Sequence, residues 1–296
     1  MTTPHLTRPD GSLPEDFHLT RRGVASLLFA GYAVAAVSAE AAPIATDAAG
    51  LVTDQVMINR DLPAYVARPA APGPHPVVLV VSEIFGVHEW VRDIARRFAT
   101  LGYVAIAPNF FFRADPDNTL PTLADYGAIF RIVATAKNEQ VMGDIAATLA
   151  WTRAQAFADS RRIGLTGFCW GGGVAWMAAE RFSELKAVGA FYGAVAPRAP
   201  GSPLAEPGRK WPLDGVAELK APVLGQYGGK DKGIPQTDLD AMKAALARAG
   251  RTDCEIVVYP EAEHGFLADY RPSYSPEAGP AAWARLLAFF KAHGVA

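Results

Sequence analysis

Short apolar runs alternate with amphipathic segments from about residue 51 onward, and this alternation limits the possible folds more than any other feature of the sequence. The run PVVLVVSE at 76–83 is rich in valine, as expected of a strand buried on both faces. The next segment, WVRDIARRFATLG, places Val91, Ile94, Ala95 and Phe98 on one helical face. Further strands are predicted at PAYVARP, YVAIAP, RIGLTGF, AVGAFYG, APVLGQYGG and CEIVVYP. The sequence therefore predicts one α/β domain over 51–296, with a mostly parallel twisted sheet and helices on both faces.

Composition narrows the classes of function. Half of the 296 residues are hydrophobic, which suffices for a sizeable core, and the formal net charge is −2. Without a basic patch or a long run of one sign, we expect no nucleic-acid partner and no electrostatic attraction to anionic lipid. The two cysteines are too few for a disulfide scaffold or a Cys-rich zinc site, and no His-x-x-His-like pattern occurs. We expect neither a metal nor a cofactor.

The N-terminal segment 1–45 has the layout of an export signal. The pair Arg21 and Arg22 precedes an apolar stretch at 24–37, and small residues at 38–42 offer a cleavage site. Paired arginines indicate the twin-arginine route to the periplasm, although 23–25 lacks the bulky pair usual after them. The apolar stretch is short for a stable membrane span. The alternatives are an ordinary N-terminal helix or an uncleaved tail of a cytoplasmic protein.

The stretch GFCWGG has the spacing of a nucleophile elbow, G-x-C-x-G, with sulfur at Cys169 in place of the more common serine oxygen. It lies between a predicted strand and a predicted helix, where a sharp turn holds the nucleophile in a strained conformation. The helix N-terminus favours a thiolate there, and the backbone N–H of Trp170 is placed to stabilise an oxyanion. The alternative is a buried structural cysteine beside a glycine-rich turn.

A cysteine nucleophile needs a base and an acid that orients the base, and in α/β-hydrolases both follow the nucleophile along the chain. Only His264 and His293 lie beyond Cys169, and only His264 lies at the C-terminal end of a predicted strand, a few residues after it. Asp231, just past the strand APVLGQYGG, is the best candidate for the acid, with an Asx-turn as the alternative explanation. The rival carboxylates occupy other predicted positions: Asp214, Asp238, Asp240 and Asp253.

Two further residues need an interpretation. Glu83 ends the strand at 76–83 and would face either the site or an arginine, unless it is simply a solvated loop charge. Cys254 begins a strand and is expected to fill the core. A disulfide between Cys169 and Cys254 is disfavoured because their predicted strands place them at opposite ends.

At this point the sequence resembles the dienelactone hydrolase (carboxymethylenebutenolidase) family over about 51–296. The matching segments are EIFGVHEWVRDIARRFATLGYVAIAPNFFFR, GLTGFCWGG, APVLGQYGGKDKGIP and VVYPEAEHGF. The resemblance implies an α/β-hydrolase fold with a Cys-His-Asp triad, opening of an unsaturated lactone that carries a carboxylate, and no cofactor. By position, Cys169 would be the nucleophile, His264 the base and Asp231 its orienting acid.

The resemblance also implies roles around the triad. Glu83 matches a glutamate that interacts with the resting thiol, and the N–H groups of Ile84 and Trp170 would form the oxyanion hole. Arg113 matches an arginine that binds the substrate carboxylate and is linked to that glutamate, and Tyr192 would line the pocket. One departure is Ala268, where some members have a second carboxylate-binding arginine. Arg271 is the nearest arginine to that position.

The sequence therefore predicts a cysteine-dependent ester hydrolase that acts on a small-molecule ester or lactone through a thioester acyl-enzyme. A broad carboxylesterase or thioesterase using the same site is the first alternative. A non-catalytic binding protein with the same fold is the second. We expect a monomer or a small homo-oligomer.

Overall fold

The computed structural model of the protein describes residues 45–123, 125–198 and 210–296. Within them, one sheet of eight strands runs through the domain. The strands are β1 (Leu51–Met57), β2 (Pro63–Pro69), β3 (His75–Val81), β4 (Val104–Pro108), β5 (Ala158–Phe168), β6 (Leu185–Phe191), β7 (Val223–Gly228) and β8 (Glu255–Tyr259). The predicted export signal at 1–45 lies, except for its last residue, outside the described residues and stays a prediction.

The sheet has the strand order β1-β2-β4-β3-β5-β6-β7-β8. The six neighbouring strands β4, β3, β5, β6, β7 and β8 pair in parallel. At the other edge, β1 pairs antiparallel with β2, and β2 pairs antiparallel with β4. The mostly parallel sheet is thus confirmed. Strand β1 was not predicted from the sequence, because its residues are largely exposed and lack a buried apolar run.

The described helices are α1 (Glu89–Thr100), α2 (Tyr126–Val133), α3 (Asn138–Arg153), α4 (Trp170–Arg181), α5 (Gln236–Arg248) and α6 (Ala278–Ala292), with short 3-10 turns at Leu120–Thr122 and Pro212–Glu218. On one face, Phe98 of α1 packs against Trp283 and Phe290 of α6. On the other, α4 contacts α3 and the second 3-10 turn, which also contacts α5. Helices therefore cover both faces of the sheet. None of the helices in the described ranges is long and apolar enough to cross a membrane.

Helix α1 shows why the predicted elements form where they do. The four apolar residues expected on one face, Val91, Ile94, Ala95 and Phe98, are all fully buried. The helix ends before Gly102, whose φ of +93° suits glycine and serves as a stop. The amphipathic pattern alone thus fixes the face that α1 turns to the sheet.

Candidate active site

Cys169 occupies the single position between the end of β5 and the start of α4. Its φ of 55° and ψ of −116° are unusual for a residue with a side chain, at a cost of about 1–3 kcal/mol. The backbone holds this turn, since Cys169 N–H donates to the Phe191 carbonyl at 3.0 Å and Gly172 N–H donates to the Cys169 carbonyl at 3.0 Å. The expected strand–turn–helix around the cysteine is therefore present. Such strain is typical of a functional position.

Two glycines let the start of α4 approach the strand ends closely. A Cβ on Gly171 would lie 2.5 Å from the carbonyl oxygens of Val81 and Ser82, and one on Gly172 would lie 2.3 Å from the Phe191 oxygen. No side chain larger than hydrogen fits at either position. The turn that contains Trp170 is consequently packed against the end of β3, three residues before Ile84. Ile84 and Trp170 are both buried, and their oxyanion-hole role stays a prediction.

His264 and Asp231 form the hydrogen bond that was expected of them. His264 Nδ1–H donates to Asp231 Oδ2 at 2.7 Å, and Asp231 Oδ1 accepts the N–H of Gly233 at 2.8 Å. The loops that carry the pair are tied together: Gly229 N–H donates to the Tyr259 carbonyl at 2.7 Å, and Lys230 N–H to the Ala262 carbonyl at 2.9 Å. Short backbone bonds thus place an acid after β7 beside a histidine after β8.

Cys169 is close enough to His264 to interact with it electrostatically and through a hydrogen bond. Burial disfavours the charged imidazolium, but the negative charges of Asp231 and Cys169 and hydrogen bonds to both residues raise the pKa of His264 to about 10. A histidine that is held by a carboxylate and lies close to a sulfur is placed to assist a sulfur nucleophile. The structure therefore brings together Cys169, His264 and Asp231 in the order required for nucleophilic catalysis.

The rival residues have other partners. Asp214 accepts the N–H of Trp211 at 2.9 Å, and Asp253 pairs with Arg251 at 2.8 Å. Asp238 and Asp240 belong to α5, and His293 lies at the end of α6, with Nδ1 bonded to the Phe289 carbonyl. Among the described residues, Cys254 is a free cysteine whose Sγ accepts the N–H of Val223, so the disfavoured disulfide is absent. Burial raises the Cys254 pKa to about 11, as expected for a core thiol.

Glu83 is completely buried, so its interpretation as a solvated loop charge is wrong. Its Oε2 accepts hydrogen bonds from the Tyr270 hydroxyl at 2.6 Å and from Arg271 Nη2 at 3.1 Å. The guanidinium of Arg271 also lies 5.2 Å from the centre of the Phe85 ring. Burial disfavours the charged guanidinium of Arg271. Electrostatic attraction to nearby groups, above all Glu83, nevertheless raises the pKa of Arg271. Glu83 is thus held by Tyr270 and by the cation Arg271 close to the candidate nucleophile.

Arg113 is not linked to Glu83, and this part of the prediction is wrong. Its guanidinium forms two hydrogen bonds with Asp144, at 2.8 Å each, and pairs with Asp61 at 2.6 Å. Asp61 lies between β1 and β2 and Asp144 on α3, so these carboxylates hold Arg113 in an ion-pair cluster of its own. Arg271 takes the place beside the glutamate that the resemblance assigned to Arg113.

Tyr192 lies in the pocket together with the catalytic candidates. Its fully buried ring packs edge-on against His264, with 5.1 Å between ring centres. It follows β6 directly and has a φ of 37°, a second strained backbone position beside Cys169. The same pocket is lined by Cys169, Trp170, Met177, Tyr192, Arg198, Lys210, Trp211 and His264. Binding of substrate by Tyr192 stays a prediction.

Sequence reasoning missed Tyr270 and Tyr126. The hydroxyl of Tyr270 donates a hydrogen bond to Glu83. Tyr126, at the start of α2, interacts electrostatically with Glu83 and Cys169. The position of Tyr270 in the loop after His264 was the one feature of the sequence that could have indicated a place near the site. No pattern around Tyr126 indicated a role, because α2 itself was not predicted. In the ranges described, no group of three or more His, Cys, Asp or Glu could hold a metal ion.

His88 is a buried histidine behind Glu83 that is expected to be neutral. Its ring lies 5.2 Å from that of Tyr270. Burial, reinforced by the charges of Arg271 and Arg92, lowers the His88 pKa to about 3. In the unfolded chain a histidine has a pKa near 6.5. Between about pH 6.5 and pH 3 the unfolded chain therefore binds a proton at His88 that the folded protein does not, so acid favours unfolding.

This difference predicts the acid response of a His88→Phe variant. The contribution of neutral His88 is complete above about pH 6.5 and is lost as the pH falls toward about 3. The variant should therefore lose less free energy of unfolding than the wild type between about pH 7 and pH 4. Urea unfolding at the two pH values measures the difference. Equal losses in both proteins would contradict a buried neutral His88.

Comparison with known proteins shows the family to which the chain belongs. The family model described as "Dienelactone hydrolase family" matches residues 62–294. A protein of Methylorubrum extorquens named "Putative carboxymethylenebutenolidase" is 44% identical over 290 residues, covering 96% of this chain and 97% of the relative. An Escherichia coli K12 protein of the same name is 44% identical over 239 residues, covering 79% of this chain and 83% of the relative.

A solved structure is also similar to this chain. The crystal structure from Klebsiella pneumoniae titled "Putative Dienelactone Hydrolase" superposes with a TM-score of 0.74 at 42% identity, covering 81% of this chain and 98% of that one. The chain belongs to the dienelactone hydrolase family of the α/β-hydrolase superfamily and is a hydrolase that acts on ester bonds.

Proposed function

We propose that the protein opens dienelactone-type lactones with Cys169 as the nucleophile, through a thioester acyl-enzyme. The observation that carries this proposal is the strained elbow at Cys169 beside a His264 that is bonded to Asp231. The names of the relatives, carboxymethylenebutenolidases, support a lactone as the substrate.

In the first step the Cys169 thiolate attacks the lactone carbonyl carbon. The carbonyl oxygen becomes an oxyanion, and the N–H groups of Ile84 and Trp170 stabilise it. When the ring C–O bond breaks, the imidazolium of His264 gives its proton to the leaving enolate oxygen. The product of this half-reaction is a thioester on Cys169, with the former leaving group still attached to the acyl chain.

In the second step water attacks the thioester. His264, now neutral and oriented by Asp231, takes a proton from the water as the new C–O bond forms. The C–S bond then breaks, and the thiolate leaves while His264 keeps the proton. This restores the ion pair of the resting enzyme and releases the acid.

Glu83 and Arg271 fit a substrate that carries its own carboxylate. One oxygen of Glu83 is held by Tyr270 and Arg271, whereas Oε1 has no hydrogen-bond partner in the described part of the chain. A substrate carboxylate would compete with Glu83 for the guanidinium of Arg271. Glu83 released in this way would be a free carboxylate that can accept the proton of a Cys169 thiol.

A broad carboxylesterase or thioesterase is the second candidate. Trp170, Met177 and Trp211 give the pocket large apolar walls, which suit esters without a carboxylate. Arg198 and Lys210 line the same pocket and add positive charge to it. Export of such an enzyme through the 1–45 segment stays a prediction.

Comparing two substrates separates the candidates. We expect kcat/KM to be at least about tenfold higher for a carboxylate-bearing dienelactone than for p-nitrophenyl acetate, because only the former can engage Arg271. An Arg271→Met variant should lose this preference while retaining turnover of p-nitrophenyl acetate. A wild type that prefers p-nitrophenyl acetate would favour the broad esterase.

A further inference from the structure

A second cavity lies beside β2 and the first turn of α1, and it shares no residue with the pocket around Cys169. Its volume is about 150 Å³, against roughly 30 Å³ for one water molecule in the liquid. It therefore has room for a small organic molecule. The residues important here are Gln55, Tyr65, Val87, Arg92, Asn109 and Phe112.

Arg92 is the cation of this cavity, and among the described residues no carboxylate lies within ion-pair distance of it. Its neighbours on α1 differ in this respect, since Arg96 pairs with Glu89 and Asp93, and Arg97 with Asp93 and Asp269. Arg92 Nε is buried and has no hydrogen-bond partner in the ranges described, and its guanidinium carbon lies 5.9 Å from the centre of the Tyr65 ring. A partly buried charge without a counter-ion is costly, and an anion would offset that cost.

The other lining groups suit an anion with an apolar body. Asn109 Oδ1 accepts the N–H of Phe111 at 3.2 Å, so its amide nitrogen remains a donor. No Asp or Glu occurs among the lining residues that the structure describes. Tyr65, Val87 and Phe112 supply apolar surface beside Arg92.

We propose that this cavity binds a small organic carboxylate. The fork of Arg92 donates two parallel hydrogen bonds to the carboxylate, and the Asn109 amide donates a third. The apolar part of the ligand packs against Tyr65, Val87 and Phe112. This site is independent of the function proposed for Cys169.

Calorimetric titration with benzoate tests the proposal. Benzoate should bind the wild-type protein, and the Arg92→Met variant should bind it about tenfold more weakly or worse. Arg248→Met is the matched control: it removes an exposed arginine of α5 and should leave benzoate binding unchanged. Benzamide, which has the same shape without the charge, should bind at least about tenfold more weakly than benzoate.

Three further measurements keep the result interpretable. Arg92→Lys, which retains the charge but not the fork, should bind with intermediate affinity, and thermal unfolding shows whether each variant is folded. Alkylation of Cys169 with iodoacetamide should leave benzoate binding intact. Crystals soaked in benzoate should show it against Arg92. Any of four results would overturn the proposal. These are equal affinity of folded Arg92→Met and the wild type for benzoate, loss of benzoate binding when Cys169 is alkylated, equal affinity of the wild type for benzamide and benzoate, and no binding of benzoate to the wild type.

Discussion

Replacement of Cys169 by alanine is expected to reduce kcat/KM for ester hydrolysis by roughly four to six orders of magnitude. The alanine methyl cannot form the acyl-enzyme, so only the oxyanion hole and binding remain to assist attack by water. Cys169→Ser should leave a small residual activity. The protonated His264 beside the sulfur stabilises a thiolate, whereas a serine hydroxyl does not ionise at neutral pH and needs a free base.

The assay is hydrolysis of p-nitrophenyl acetate and of a dienelactone by each variant. Both substitutions nearly conserve side-chain volume, so thermal unfolding should show folded proteins. Cys254→Ala is the matched control, because it removes the other cysteine at a site remote from the pocket and should retain wild-type turnover. Full activity in folded Cys169→Ala would refute the assignment of the nucleophile.

Asp231→Asn is expected to lower kcat by about two to four orders of magnitude. The carboxylate orients His264 through the 2.7 Å bond and is one of the charges that raise the histidine pKa. An asparagine keeps the shape but removes the charge, and its amide can favour the wrong tautomer. The His264 pKa should therefore fall, and with it the thiolate fraction of Cys169 at neutral pH.

Alkylation by iodoacetamide measures that thiolate directly. Wild-type Cys169 should react quickly at neutral pH, whereas in Asp231→Asn the rate should rise mainly toward about pH 8.5, where an ordinary thiol ionises. Asp253→Asn, which disturbs only the pair with Arg251, should behave like the wild type. If the pH dependence of Cys169 alkylation is unchanged in Asp231→Asn, the aspartate does not influence the reactivity of Cys169 through His264. A wild-type Cys169 that fails to react would instead favour the non-catalytic binding protein.

The sheet interior and the three candidate catalytic positions were predictable because they follow from local patterns. Valine-rich runs identify buried parallel strands, and the rule that functional groups follow strand ends selected Cys169, Asp231 and His264. Here the structure places all three in one neighbourhood. Strand β1 escaped prediction because an exposed edge strand lacks the buried apolar run that makes its neighbours recognisable.

The partner of Glu83 could not be predicted, because it depends on how a loop folds back after His264. The residues after His264 return toward β3, where Tyr270 and Arg271 reach Glu83. Arg113 was the expected partner, but Asp61 and Asp144 lie closer to it in space while remote in sequence. Long-range ion pairs of this kind leave no periodic pattern in a single sequence.

The most direct test of the central claim is mass spectrometry of enzyme quenched with acid during turnover of p-nitrophenyl acetate. The account predicts that the peptide containing Cys169 gains the mass of one acetyl group, and that Cys169→Ala shows no such gain. An acetyl group on another residue, or rapid turnover with no acyl-enzyme detectable on the quench time scale, would contradict a thioester at the elbow.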